Sequence, residues 1–206
     1  MPKPEKPKDR PLLEAALANI EVAVDLMTDS QAVAAIPVIG TAFKVCRGID
    51  DLRSRAFATK LAKFISDPSL QPEKVKEKLK QWTAAAPEDA QRIGETLFLV
   101  LEKMADLEKP PLLAKVFSAY LDQVISSADL RRLAHAIDAA FADDLVKLLD
   151  TDEMHVSLGT DWKQPLAVSG LTRVTTGQTY DELGSVYYEV TELGHLLKKA
   201  VEHSLK

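Results

Sequence analysis

Histidine, cysteine and clustered acidic residues are where specific chemistry would reside, and this chain has four histidines and one cysteine. Glu192 and His195 stand three apart in a stretch of helical pattern, so a carboxylate and an imidazole would share one helix face. Helical metal centres use that spacing, but they use it twice and add further carboxylates. One copy does not make a ligand set. His135 falls on the same face as Arg131, Arg132 and Asp138, the composition of a solvated face, and His155 and His203 bring no second ligand set. Nucleophilic chemistry has as little support. There is no Gly-x-Ser-x-Gly elbow and no glycine-rich phosphate loop, and Cys46 lies in an apolar run typical of a buried thiol. The expectation is a protein with no catalytic residues, no cofactor and no metal.

The elements that would position these residues are mostly helical. Aromatics make up only 6% of 206 residues while Leu and Ala recur throughout, which favours helix-on-helix packing over a large sandwich of strands. A lone cysteine cannot form an intramolecular disulfide, so a reducing, cytoplasmic setting is expected. Residues 1–11 are charged and punctuated by proline, unlike the apolar core of a signal peptide, and read as a flexible leader. The longest uncharged stretch, Ser30 to Phe43, is shorter than the roughly 20 apolar residues a spanning helix needs.

Periodicity divides the rest. Leu13, Leu17, Ile20, Val24 and Met27 predict an amphipathic helix over 12–28, followed by an apolar segment interrupted at Pro37 and Gly40. From Asp50 to Ile65, Leu52, Phe57, Leu61 and Phe64 alternate with Arg53, Arg55, Lys60 and Lys63, a helix with a basic outer face. Residues 12–67 thus form an N-terminal group of helices, and 72–141 a compact antiparallel bundle. Within that bundle Pro72 and Pro87 open helices, and Ile93, Leu97, Val100, Met104 and Leu107 form a heptad-like seam over 88–107. Leu97 to Leu101 reads as apolar all round and central, Pro110 and Pro111 open the next helix, and Ser126 or Ser127 caps another. Over 142–206 the character changes. A helix ends near Asp150, a short helix ends at Gly170, two β-rich stretches (171–176 and 185–190) form a hairpin, and Thr191 caps a closing helix.

The order of a short helix ending Ala167-Val-Ser-Gly-Leu171, a hairpin, and then Tyr188-Glu-Val-Thr-Glu-Leu-Gly-His195 resembles the winged-helix domains of small bacterial regulators. The likeness covers about a third of the chain and implies a mainly α fold, a bundle followed by a winged-helix-like module with a β-hairpin. Ile36-Pro-Val-Ile-Gly40 and Leu107-Glu-Lys-Pro-Pro-Leu-Leu-Ala114 look like segments of uncharacterised bacterial proteins. Winged helices serve DNA and protein partners alike.

Charge ranks those alternatives. The chain carries −5 overall, and 142–206 holds six basic against eleven acidic side chains, an unfavourable balance for phosphate. The leading expectation is a non-enzymatic interaction protein of bacterial or phage origin that binds a protein partner, a second copy included. Its contacts would be Trp162, Lys163, Gln164, Arg173 and the wing near Tyr180. A transcriptional regulator reading DNA with Lys163, Gln164 and Arg173 is the alternative. A third is a membrane-active phage-defence effector that lays residues 31–65 on a lipid surface, with Lys44, Arg47, Arg53, Arg55, Lys60 and Lys63 at the headgroups.

Overall fold

The computed structural model describes residues 52–70, 72–151, 157–158, 162–176 and 186–205. Among them α1 (Leu52–Ile65), a 3-10 turn (Pro68–Leu70), α2 (Pro72–Ala85), α3 (Pro87–Lys103), α4 (Lys109–Leu121), α5 (Ser127–Ala139) and α6 (Ala142–Asp150) come first. They are followed by β1 (Ser157–Leu158), α7 (Lys163–Val168), β2 (Thr172–Thr176), β3 (Val186–Val190) and α8 (Glu192–Ser204). The chain is mainly helical with a small antiparallel sheet near its C-terminus. The helix predicted over 12–28, the leader and the apolar segment with Cys46 lie outside the described residues.

Helix boundaries follow local chemistry. Ser126 caps α5 with a reciprocal box: its hydroxyl accepts from the Asp129 N–H while the Asp129 carboxylate accepts from the Ser126 N–H. Asp67 Oδ1 accepts from both the Ser69 N–H at 2.9 Å and the Ser69 hydroxyl at 2.6 Å, which closes the turn between α1 and α2. The predicted seam is buried at Ile93, Leu97, Val100 and Met104. It ends earlier than periodicity suggests: α3 stops at Lys103, and Leu107 sits exposed in the turn before α4. Nor is the run Leu97 to Leu101 buried all round, because Leu99 faces outward at 58% exposure.

The most internal helix is α4, which packs against α1, α2, α5, the 3-10 turn and, from the other end of the chain, α8. Leu113, Ala114, Val116, Phe117 and Ala119 are among its buried residues, and Phe117 lies against Phe64 and Trp82 with ring centroids 6.1 and 5.7 Å away. One apolar cluster runs from Phe57 through these residues to Leu197, Ala200 and Val201 of α8.

Buried lysines stitch the helices together. Lys60 of α1 donates to the Glu102 carbonyl in the last turn of α3 at 2.8 Å. Lys109 of α4 donates to the Asp138 carbonyl at the end of α5 at 2.9 Å, and Lys198 of α8 donates to the Thr151 carbonyl that caps α6. Each ammonium meets carbonyls that the helix itself leaves without partners, at its negative end. Lys60 therefore corrects the expectation of a basic outer face on α1 at that one position: its side chain is buried.

The sheet has strand order β1-β3-β2. The predicted hairpin is present as β2 against β3, in a register that pairs Arg173 with Glu189, Val174 with Tyr188 and Thr176 with Val186. β1, which pairs Ser157 with Tyr188, has no counterpart in the sequence reading.

Candidate interaction surface

The residues that carry the winged-helix resemblance form a backbone knot. After α7 the Gly170 N–H bonds to the Ala167 carbonyl and the Leu171 N–H to the Leu166 carbonyl, the paired bonds of a Schellman ending. That ending needs a left-handed residue, and Gly170 supplies it at φ +77°. The Leu171 carbonyl then accepts from the Thr191 N–H at 3.0 Å, while the Thr191 hydroxyl donates to the Gly170 carbonyl at 2.7 Å and accepts from the Gly194 N–H. A methyl at Gly194 would stand 2.4 Å from the Leu171 carbonyl oxygen, so α8 crosses this corner only because Gly194 has no side chain. Gly170-Leu171 and Thr191-x-x-Gly194 lock the start of β2 to the start of α8. They are fold-determining.

Beside the knot lies a cleft of about 860 Å³ whose lining includes Arg132, Arg173, Glu189, Glu192, Leu193 and His195. Its charges are mixed, and Arg173 is paired with Glu189 across the hairpin. Glu192 and His195 both line it, yet no group of three potential ligands that could hold a metal exists among the described residues.

The sheet surface is less charged. Alternation along paired strands puts Thr172, Val174, Val186, Tyr188 and Val190 on one face. Its inner end is core, with Thr172 and Val190 buried. Its outer end is not: Val174 is 57% and Val186 54% exposed, beside a half-buried Tyr188.

The predicted contact residues scatter. Lys163 is completely buried (0% exposed), its ammonium 5.3 Å from the Trp162 ring centroid, and offers nothing to a partner or a phosphate, which corrects its placement among surface contacts. The cause is local: α7 is six residues long and tucks its first turn under β2, where Thr172 donates to the Lys163 carbonyl at 2.6 Å. Trp162 is half-buried and packs on the core, Gln164 is exposed, and Arg173 is exposed but committed to Glu189. Tyr180 lies outside the described residues, as do Lys44 and Arg47. Arg53 and Arg55 fall within α1, with side chains outside the described set, and Lys63 is half-buried.

Two polar networks escaped sequence reasoning. Trp82 Nε1 donates to the Tyr120 hydroxyl at 2.8 Å, and that hydroxyl donates to Asp89 Oδ2 at 2.6 Å. Burial, then the bond to Asp89 and its charge, push the Tyr120 phenol up to about 12, against smaller opposing effects of Trp82 and Arg131. At the far end of α8, His203 Nε2 lies 3.0 Å from Asp122 Oδ2, and Asp122 also pairs with Lys78 of α2. Burial raises the Asp122 carboxyl, but its bonds to Lys78 and His203 outweigh that and hold it below the usual carboxylate range. His203 reaches an acid 81 positions away, a separation at which no local spacing rule operates. No helix among the described residues is long and apolar enough to cross a membrane. No family model matches the chain, and neither a curated protein nor a solved structure matches it.

Proposed function

We propose that this chain is a non-enzymatic interaction protein that binds a protein partner through the outer end of its C-terminal sheet. The carrying observation is the face bearing Val174, Val186 and Tyr188, where β-branched and aromatic side chains continue past the core into solvent. Apolar surface exposed on paired strands is suited to a protein contact and has no use for phosphate. Gln164 on the exposed side of α7 and the Arg173–Glu189 pair on the opposite sheet face would frame the contact. The order α6, β1, α7, β2, β3, α8 with the strand order β1-β3-β2 supports reading this region as a winged-helix-like module used for protein binding.

Charge placement weighs against the DNA-reading alternative. Of the three residues it would use, Lys163 is enclosed and Arg173 is neutralised by Glu189, leaving Gln164. The test is crosslinking in the native host with a tagged chain and a Val174→Glu/Val186→Glu variant whose fold is checked by circular dichroism. Specific crosslinked proteins that disappear in the variant are the expected result. Retention of the same proteins overturns the proposal, as does tight, salt-sensitive binding of random duplex DNA by the purified chain.

A further inference from the structure

Val201 is the last buried apolar residue of α8 among those described; beyond it Glu202 is exposed and Leu205 is 72% exposed. The final turn of α8 is therefore tied to the bundle by a polar contact, the 3.0 Å approach of His203 Nε2 to Asp122 Oδ2 at the end of α4. Lys78 of α2 holds the other oxygen of the same carboxylate. Around the imidazole a cavity of about 260 Å³ gathers Lys78, Asp122 and the hydroxyls of Ser69, Ser118 and Ser204. Those hydroxyls donate elsewhere, to Asp67 and to the Ser69 and Val201 carbonyls, so they do not compete for Asp122. The elements α5, α6 and β3, which also touch α8, place no described residue on this cavity. On α8 itself the neighbouring charges, Lys199 and Glu202, are exposed.

We propose that His203 is a proton-operated latch: gaining a proton draws the last turn of α8 onto Asp122, and losing it loosens that turn. A neutral imidazole offers the carboxylate a hydrogen bond through one N–H. An imidazolium keeps that bond and adds a charge, and a hydrogen bond between two ions is shorter and stronger. The same charge stands in the last turn of α8, where the helix end is negative. Lys78 opposes it as a second cation on the same carboxylate, but its ammonium occupies the other oxygen and its exposed side chain is screened by solvent. Histidine ordinarily changes charge between about pH 5 and 8, and His203 is only half-buried, so protons reach it. The acceptor stays charged across that range. Burial raises the Asp122 carboxyl, but Lys78 and His203 outweigh burial and hold it below the usual carboxylate range. The added stability is thus present while His203 is protonated and is lost as pH rises through its titration. At the acid end it is lost as pH falls through the titration of Asp122.

A double-mutant cycle on the full chain tests the latch: wild type, His203→Gln, Asp122→Asn and the pair, unfolded in urea near pH 5.5 and near pH 8. The expected coupling in the unfolding equilibrium is about fivefold at the lower pH and about twofold at the higher. The other histidines are present in all four chains, so their titration cancels. Lys78→Gln, which leaves the carboxylate to the imidazole, should enlarge the coupling at the lower pH. Amide exchange on the wild type needs no variant: protection at Ser204 and Leu205 should fall between the two pH values, and in His203→Gln it should be low at both. A coupling that is absent, or the same at both pH values, overturns the latch. So does protection of the last turn that is indifferent to pH in the wild type.

Discussion

Gly194 shows how much one hydrogen in place of a methyl can decide. Inside a helix, alanine is favoured over glycine by about 1 kcal/mol. Here the added Cβ would meet the Leu171 carbonyl oxygen at 2.4 Å and Val190 Cγ1 at 2.5 Å. The first of these is backbone, and it already accepts from the Thr191 N–H, so it cannot yield cheaply. Overpacking of this kind costs about 1–3 kcal/mol, which outweighs the propensity gain. Gly194→Ala should therefore lower the urea midpoint, while Glu192→Ala, on the exposed side of the same helix, should shift it little. A midpoint raised by Gly194→Ala would show that α8 can slide away from the corner. At this scale the sequence was legible at Gly170, Ser126 and Thr191, whose roles are local. Lys163 and Lys60 were not legible, because an isolated lysine reads as surface until the tertiary surroundings that enclose it are known.

Among the elements, α4 ends in the same Schellman geometry as α7 but without a glycine. The Gln123 N–H bonds to the Tyr120 carbonyl and the Val124 N–H to the Ala119 carbonyl, with Gln123 held at φ +57°. A non-glycine residue there carries local strain, and glycine would relieve it at the expense of a more flexible unfolded chain. The net gain expected for Gln123→Gly is about 0.5 kcal/mol, or roughly 1–2 °C in Tm for a chain of this size. Differential scanning calorimetry checks it, and a fall in Tm would mean that the Gln123 side chain does more for the fold than its exposure suggests. The ending of α7 could be located from its glycine, whereas that of α4 could not. Helix interiors were read more reliably than ends, since the seam at Ile93, Leu97, Val100 and Met104 depends only on period while the stop at Lys103 depends on the turn into α4.

For the whole molecule, the question is whether the bundle and the sheet region behave as two units. Apolar packing joins them: α8 lies along α4, and Leu197, Ala200 and Val201 belong to the same buried cluster as Phe57 and Phe117. His203 bonding to Asp122 adds a polar tie between the same parts. Removing α8 from α4 would expose side chains from both regions at once, so unfolding should be a single cooperative event. The two tryptophans report on each region separately, Trp82 in α2 and Trp162 beside α7. Fluorescence melts of Trp162→Phe and Trp82→Phe, each normalised to its own stability by circular dichroism, should show fluorescence and far-ultraviolet transitions that coincide. A separate, earlier transition at Trp162 would mean that the C-terminal region unfolds alone. The sequence by itself determined the helical class, the hairpin at 171–190 and several caps, because period, turn chemistry and capping act over a few residues. Only the tertiary structure decided that Lys60, Lys109, Lys163 and Lys198 are enclosed, that His203 finds Asp122, and that Val174 and Val186 are exposed at the outer end of the sheet. Those outcomes depend on which elements meet, and that is set by packing summed over the whole chain, which no short stretch of residues contains.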